Sequence, residues 1–128
     1  MPAMADARAP EDTTATPPDC LFCRLVAGEV PADVVVEGGR TLAFRDIDPQ
    51  APTHVLVVPR EHHADVGALA AVDADLLAEV VRTAGEAAAV DGLTDHRLVF
   101  NTGPGAGQSV FHVHAHVLGG RRLAWPPG

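Results

Sequence analysis

The chain has 128 residues, a length typical of one domain, and its 17 acidic and 9 basic residues give a formal net charge of −8. This charge argues against binding of DNA or RNA polymers, because a phosphate lattice is bound by clustered Lys and Arg side chains. It does not exclude a small anionic ligand, which backbone amides and histidines can bind. The longest apolar runs have the length of strands, so the sequence predicts no membrane-spanning helix and no membrane partner.

The first 18 residues are mainly Ala, Pro, Thr and acidic residues, with almost no large apolar side chains. Such a segment cannot bury enough surface to offset the entropy of ordering, so we predict a disordered tail over 1–18 and one folded domain over 19–128. The tail also lacks the basic start and the apolar core of a signal peptide. We therefore expect a cytoplasmic protein.

The folded region predicts short strands separated by turns, together with one short and one long helix. The strand candidates are apolar or β-branched runs bounded by turn residues, over 34–37, 41–45, 54–58, 97–101 and 112–118. A short helix over 21–27 should end near Gly28. A long helix over 73–90, with Asp73 as its cap, is indicated by apolar residues at helical spacing, which are Leu76, Leu77, Val80, Val81 and Ala84. We predict an α+β fold with a mostly antiparallel five-stranded sheet.

Histidines alternate with small apolar residues over 111–118. In a strand, His112, His114 and His116 would lie on one face, because successive side chains point to opposite faces. Packing alone explains such a row poorly, since each buried ring needs hydrogen-bond partners. Two chemistries use it: a metal can take imidazole ligands, or one imidazole can attack phosphorus while its neighbours orient it and handle protons.

A glycine-rich loop over 101–109 precedes this strand and favours the second chemistry. Such loops can present several backbone N–H groups to an anion. The loop leads into a strand and not into a helix, so it is not a dinucleotide-binding fingerprint.

The run over 107–121 resembles the signature of the histidine triad superfamily, in which three histidines alternate with apolar residues. The similarity extends back through 43–54 and 57–59, and it covers about 19–128. The last four residues resemble the C-terminus of the Hint branch, the purine nucleoside phosphoramidases. The resemblance implies a nucleotide-binding hydrolase that cleaves the P–N bond of purine nucleoside 5′-phosphoramidates through a covalent nucleotidyl-histidine, with no cofactor required for catalysis.

By position in the matched motif, His114 would be the nucleophile and His116 the donor to a phosphate oxygen or to the leaving group. His54 would relay protons or orient the phosphate, and His112 completes the predicted catalytic set. Asp46 would accept hydrogen bonds from both ribose hydroxyls. The other predicted substrate contacts come from the base pocket, the glycine-rich loop and the C-terminus, and they are Phe22, Leu25, Phe44, Ile47, Asn101, Gly107, Gln108, Ser109 and Trp125.

Cys20 and Cys23 indicate a second site, because two cysteines at this spacing in a cytosolic protein bind a metal more often than they form a disulfide. On a helical turn they share a face, and tetrahedral zinc needs two further ligands. Some bacterial members of the superfamily have these cysteines, and the resemblance then implies His62 and His112 as the remaining ligands, with His63 as a substitute for His62. Eukaryotic Hint proteins lack the cysteines. If zinc takes His112, only His114 and His116 remain for chemistry.

Two other functions stay open at this point: a metalloenzyme that uses the histidine row as ligands, and a non-catalytic partner protein that senses nucleotides. The resemblance also implies a homodimer, with Trp125 shaping the partner's site. Two prolines after Trp125 disfavour regular structure, so the segment must be held by packing if it is ordered. The expected ligand is a purine nucleoside monophosphate or a nucleotide conjugate.

Overall fold

The computed structural model describes residues 19–128, and the predicted tail over 1–18 lies outside the described residues. The helices are α1 (Leu21–Val26), α2 (Val66–Val72) and α3 (Ala74–Val90). The strands are β1 (Val34–Glu37), β2 (Thr41–Arg45), β3 (Thr53–Pro59), β4 (His96–Phe100) and β5 (Ala115–Gly119). Among residues 19–128, no helix is both long and apolar enough to cross a membrane.

The five strands form one sheet in the order β1-β2-β3-β5-β4, and every neighbouring pair is antiparallel. The predicted α+β class with a five-stranded antiparallel sheet is therefore confirmed. All seven residues of β3 are buried, because this central strand is covered on both faces.

The sheet separates two apolar clusters. On one face, Val55 and Val57 of β3 pack with Val80 and other residues of α3, whereas Leu56 and Val58 pack on the other face with Phe22 of α1. This alternation follows from the two-residue period of a strand. It puts His54 on the same face as Leu56, which is the α1 face.

The helices differ from prediction in one respect: α2 was not predicted. Asp65 caps α2 by accepting a hydrogen bond from the Ala68 N–H, and only Leu69 of the helix is buried, so its sequence carries almost no periodic signal. The prediction for α3 is confirmed, including the Asp73 cap. Val81, one of the apolar residues that indicated this helix, is 45% exposed.

The histidine strand is shorter than predicted, because pairing with β3 begins at Ala115. His112 and His114 precede the paired strand, in a segment where the Val113 N–H donates to the His63 carbonyl at 2.7 Å instead of to the ladder. The alternation nevertheless continues. Val113, Ala115 and Val117 lie in the α3-side core, and the three histidines lie on the α1 side.

Candidate active site and metal centre

A cavity of about 790 Å³ lies on the α1 face of the sheet. Its lining includes nine of the predicted site residues, which are Phe22, Leu25, Phe44, Asp46, Ile47, Gly107, Ser109, His114 and His116. The sequence did not point to the others, which are Leu21, Val30, Pro31, Ala32, Asp33, Arg45, Leu56 and Val110. Their residue types are those of ordinary core and loops, so no chemical signal marked them.

Aromatic rings form the apolar wall of this cavity. Phe22 meets Phe44 edge to face, with ring centroids 5.5 Å apart, and it meets His114 in the same way at 5.1 Å. Ile47, by contrast, is fully exposed at the rim. A largely apolar slot with a few polar groups is typical of small-ligand sites. The wall therefore provides a surface suited to a planar base.

His114 is held in one tautomer by the backbone. Its Nδ1 lies 2.9 Å from the carbonyl oxygen of His112, and a carbonyl can only accept, so Nδ1 carries the proton. Nε2 then keeps a lone pair. Burial lowers the pKa of His114, which favours the neutral ring. The side chain is thus a neutral imidazole in the wall of the cavity, with a lone pair on Nε2.

His54 and His116 form a pair whose proton positions also follow from the backbone. The Gln50 N–H donates to His54 Nδ1 at 3.0 Å, so the neutral His54 ring carries its proton on Nε2. This Nε2 lies 2.9 Å from His116 Nδ1 and 3.3 Å from Asp46 Oδ2. His116 therefore accepts at Nδ1 and carries its own proton on Nε2, and burial lowers its pKa to about 4.

Asn101 and Trp125 lie away from the main cavity. Asn101 Nδ2 lies 3.5 Å from His116 Nε2, and because both atoms then carry protons, this contact is no hydrogen bond when His116 is protonated on Nε2. Asn101 lines a second cavity of about 450 Å³ that also contains His54 and His116. The C-terminal residues 123–124 and 126–128 line this second cavity too. Trp125 is 82% exposed and lines neither cavity of its own chain.

Gln108 supports the glycine-rich loop from inside the protein. Its side chain accepts from the Gly103 N–H at 2.9 Å and donates to the carbonyls of Ala64 and Val110, while its backbone N–H donates to the Gly103 carbonyl. These groups thus have partners within the chain, and the predicted contact of Gln108 with a substrate stays a prediction. Gly107, at φ +97°, adopts a conformation that favours glycine.

Asp91 is a supporting residue that the sequence did not reveal. It follows α3 and accepts two hydrogen bonds from Arg45, at 2.8 and 2.9 Å, and one from the Thr53 hydroxyl at 2.6 Å. Arg45 ends β2 and Thr53 begins β3, so Asp91 ties together both ends of the loop 46–53. The Arg45 guanidinium, followed by the Thr53 hydroxyl, lowers the pKa of Asp91 to about 2.

The four predicted metal ligands, Cys20, Cys23, His62 and His112, meet in one buried cluster. The Cys20 and Cys23 sulfur atoms lie 3.5 and 3.4 Å from His112 Nδ1, and Cys23 Sγ lies 3.5 Å from His62 Nδ1. The two Nδ1 atoms are 3.2 Å apart. Tetrahedral zinc, with bonds of about 2.3 Å to sulfur and 2.05 Å to nitrogen, requires about 3.5 Å and 3.3 Å between such ligand atoms.

The protonation of the cluster also suits a metal. His112 Nε2 lies 2.9 Å from the Pro59 carbonyl and donates to it, so Nδ1 turns a lone pair toward the sulfur atoms. Burial lowers the pKa of His62, and it lowers that of His112 to about 4, so both rings are neutral ligands at neutral pH. His63 is not a substitute, because its Nε2 lies 2.7 Å from Glu61 Oε1.

His112 was predicted both as a ligand and as part of the catalytic set. The structure buries it completely in the metal cluster and leaves it out of the lining of the cavity. Its part in the catalytic set stays a prediction, and in this structure its carbonyl accepts the hydrogen bond that orients His114.

Comparison with known proteins agrees with this geometry. The HIT domain profile matches residues 27–123. The chain belongs to the HIT family. Its relatives include an uncharacterized HIT-like protein of Synechococcus elongatus, 48% identical over 111 residues that span 86% of this chain and 97% of that protein. The crystal structure of a HIT family hydrolase from Legionella pneumophila is 49% identical and superimposes with a TM-score of 0.82, over 86% of this chain and 100% of that one.

A further relative bears on the metal centre of this HIT protein. A 14 kDa zinc-binding protein of Zea mays is 42% identical over 111 residues, which span 84% of this chain and 87% of the maize protein. Together with the buried cluster of two cysteines and two histidines, this identifies zinc as a structural cofactor. The zinc, when bound, joins α1 to the segments that carry His62 and His112.

Proposed function

We propose that this HIT protein is a hydrolase that cleaves the P–N bond of purine nucleoside 5′-phosphoramidates, or of similar nucleotidyl conjugates, through a nucleotidyl-His114 intermediate. The observation that carries the proposal is the His114 ring. Its Nδ1–H is fixed on the His112 carbonyl at 2.9 Å, which leaves the Nε2 lone pair for attack in a cavity suited to a nucleotide. The Legionella neighbour, titled a HIT family hydrolase, supports the same general activity.

The reaction has two displacement steps at phosphorus. In the first, the His114 Nε2 lone pair attacks phosphorus and forms a P–N bond while the bond to the leaving amine breaks. The electron pair of the broken bond stays on the amine nitrogen, which takes up a proton. In the second, water attacks phosphorus and gives a proton back to the group that protonated the amine. The bond to His114 breaks with its electron pair on Nε2, and the nucleoside monophosphate is released with the neutral imidazole restored.

His116 is proposed as the proton donor to the leaving group or to a phosphate oxygen. Its Nε2 carries the proton because His54 donates to its Nδ1 at 2.9 Å. The depressed pKa of His116, about 4, keeps the ring uncharged in the free protein. A bound phosphoryl anion raises the pKa of an adjacent imidazole, so the substrate itself would bring His116 closer to an effective acid.

Asp46 and the aromatic wall are proposed to bind the nucleoside. The Asp46 carboxylate accepts from the Asp48 N–H at 2.8 Å, which fixes its orientation in the cavity lining. A fixed carboxylate can accept from two ribose hydroxyls at once. Phe22, Leu25 and Phe44 would then enclose the base, and the loop that includes Gly107 and Ser109 would contact the phosphate.

The alternative of a metalloenzyme is less well supported. Asp46, His54 and His116 do offer ligand atoms within 4.8 Å of one another. A metal-binding imidazole nitrogen must be unprotonated, however, and the Gln50 N–H on His54 Nδ1 puts the proton of that ring on Nε2, the atom that faces the other two groups. The proton pattern thus favours proton transfer over ligation.

The experiment that tests the proposal is incubation with a panel of adenosine and guanosine 5′-phosphoramidates that differ in the leaving amine. Release of amine and nucleoside monophosphate, with a trapped adduct on His114, is the expected result. Tight nucleotide binding without turnover of any member would contradict it and would favour the nucleotide-sensing alternative. Equal affinity for nucleoside and nucleotide would also count against a phosphoryl-transfer site.

We further propose a cytoplasmic homodimer. Two buried reduced cysteines at a metal site suit a reducing compartment. Trp125 is 82% exposed beside the second cavity, and a large ring of this kind is stabilised when a partner surface covers it. The partner copy would then border the site from the side of His116.

A further inference from the structure

The peptide backbone of Gln50 connects the surface of the protein to the His54–His116 pair. Its N–H donates to His54 Nδ1 at 3.0 Å, and its carbonyl accepts two hydrogen bonds from the Arg121 guanidinium, from Nε at 3.3 Å and from Nη2 at 3.0 Å. Arg121 is exposed and does not line the main cavity. It lines the second cavity together with His54 and His116, and within residues 19–128 its hydrogen-bonded link to that pair runs through the Gln50 backbone.

The turn after β5 is built to bring Arg121 to this position. Gly120 has φ +87°, and a Cβ added there would lie 2.9 Å from Pro52 Cβ in the loop 46–53. Only glycine permits this close approach without strain. The following guanidinium then reaches back over the loop, with a third hydrogen bond from Nη1 to the Arg122 carbonyl at 3.0 Å.

Arg121 is held by hydrogen bonds to backbone carbonyls and not by an ion pair within the described residues. Within residues 19–128, the arginines that form ion pairs with carboxylates are Arg24, Arg40 and Arg45. No carboxylate of these residues lies within ion-pair distance of Arg121. Its hydrogen bonds to the described residues go to backbone carbonyls, two of them to Gln50. The planar fork of an arginine suits such paired donation, whereas a lysine ammonium presents a single charged point.

We propose that Arg121 is a positioning residue for the reaction: by holding Gln50, it keeps the Gln50 N–H on His54 Nδ1 and so fixes the proton of His54 on Nε2. That proton is donated to His116 Nδ1 at 2.9 Å, which leaves the His116 proton on Nε2. Arg121 thereby sets which nitrogen of His116 can donate to a substrate. The kinetic part of this inference rests on the proposed function, whereas the tautomer of His54 does not.

The test compares Arg121→Ala and Arg121→Lys with Arg122→Ala. The last variant removes a neighbouring arginine whose side chain makes no hydrogen bond or ion pair in the described structure, so it matches the loss of charge. Long-range proton–nitrogen NMR correlations of the histidine rings, recorded on the zinc-loaded full chain without substrate, report which nitrogen of His54 is protonated. We expect the Nε2–H form in the wild type and in Arg122→Ala, and a mixture of tautomers in Arg121→Ala.

Turnover supplies the second readout. Arg121→Ala removes the hydrogen bonds to the Gln50 carbonyl and should lower kcat roughly tenfold, the effect of losing hydrogen bonds from a charged donor. The dissociation constant for nucleoside monophosphate should change little. Arg121→Lys should recover part of kcat, since one donor to the Gln50 carbonyl remains.

Three results would overturn the inference: an Nδ1–H form of His54 in the wild type, an unchanged His54 tautomer in Arg121→Ala, or the same fall of kcat in Arg122→Ala. If Arg121→Ala fails to fold, the spectra of Arg121→Lys decide. If the wild-type protein hydrolyses no phosphoramidate, the proposed function fails, but the NMR comparison still decides whether Arg121 sets the tautomer.

Discussion

At the scale of residues, backbone groups decide what each histidine of the site can do. A carbonyl fixes the proton of His114 on Nδ1, and an N–H fixes that of His54 on Nε2. In the proposed reaction the same type of side chain would therefore serve as a nucleophile in one place and as a proton donor in another. The fully buried His112, with its proton on the Pro59 carbonyl, becomes a metal ligand.

His114→Ala tests the nucleophile. We expect kcat/KM for an adenosine phosphoramidate to fall by roughly four orders of magnitude or more, as for other lost nucleophiles, while the affinity for nucleoside monophosphate is retained. His96→Ala is the matched control, because His96 is exposed on β4 and lines none of the three cavities described by the structure. Turnover in His114→Ala close to that of the control would refute the assignment.

His116 predicts a pH dependence of stability. Burial, followed by the proximity of His114 and His54, lowers its pKa to about 4, although Asp46 opposes this shift. The usual pKa of histidine is about 6.5, so between pH 6.5 and pH 4 the unfolded chain takes up a proton at this residue that the folded chain does not. The contribution of His116 to the free energy of unfolding is therefore complete above pH 6.5 and is lost as the pH falls toward 4.

Thermal melts of the wild type and of His116→Asn from pH 8 to pH 4 measure this effect. Below pH 6.5, the Tm of the wild type should fall relative to that of His116→Asn. Above pH 6.5, the difference between the two Tm values should stay constant. The metal cluster is the same in both proteins, so its titration cancels in the difference. A difference that does not change with pH would show that the pKa of His116 is not depressed.

At the scale of elements, α1 depends on the metal centre. It has six residues, too few for an isolated helix, and its N-cap residue Cys20 and its third residue Cys23 both belong to the zinc cluster. The same helix contributes Leu21, Phe22 and Leu25 to the cavity wall. A nucleotide bound in this cavity would therefore be coupled to the structural zinc through one and a half turns of helix.

Removal of zinc should weaken nucleotide binding as well as stability. We expect about one zinc ion per chain by elemental analysis, and a lower Tm after chelation, because metal binding contributes to folding. The affinity for nucleoside monophosphate should fall roughly tenfold, the order expected from loss of the packing of one aromatic side chain, and zinc should restore both properties.

The two adjacent histidines supply the control for this prediction. His62→Asn should lose zinc, whereas His63→Asn should retain it, because His63 is hydrogen-bonded to Glu61 and lies outside the cluster. Carefully purified wild-type protein that contains no metal, and takes up none when zinc is added, would contradict the assignment of the centre.

At the scale of the whole molecule, the C-terminal segment lies next to the site without entering it. Residues 123–124 and 126–128 line the second cavity together with His116, and Arg97 donates to the Ala124 carbonyl at 2.9 Å. The exposed ring of Trp125 is available to a second copy of the chain. This arrangement suits a dimer in which the tail influences the leaving group more than the nucleoside.

Deletion of residues 123–128 tests this arrangement. The ranking among substrates with different leaving amines should change, while the affinity for the nucleoside part should stay within about threefold, since the segment does not line the main cavity. Trp125→Ala should shift the ranking in the same direction with the rest of the tail intact. A monomer by light scattering at micromolar concentration would contradict the proposed dimer. An unchanged ranking would contradict an influence of residues 123–128 on the leaving group.

The sequence predicted most of this fold because its local patterns agree with one another. The alternation over 112–118 correctly placed three histidines on one side and Val113, Ala115 and Val117 on the other, although the paired strand begins only at Ala115. The helical stripe with its Asp73 cap predicted α3. The seven-residue α2 was missed, because one buried leucine leaves no periodic pattern to detect.

What the residues do to one another was decided only by the tertiary structure. The sequence indicated two cysteines and the histidines, but their convergence depends on contacts between segments as many as 92 positions apart. The choice of His62 over His63 depends on which side chains meet in the metal cluster. The orientation of His112 and the link from Arg121 through Gln50 to His54 depend on which backbone group faces which ring nitrogen. Residue spacing specifies a face, whereas a proton position depends on distances of a few ångströms that only the packed chain sets.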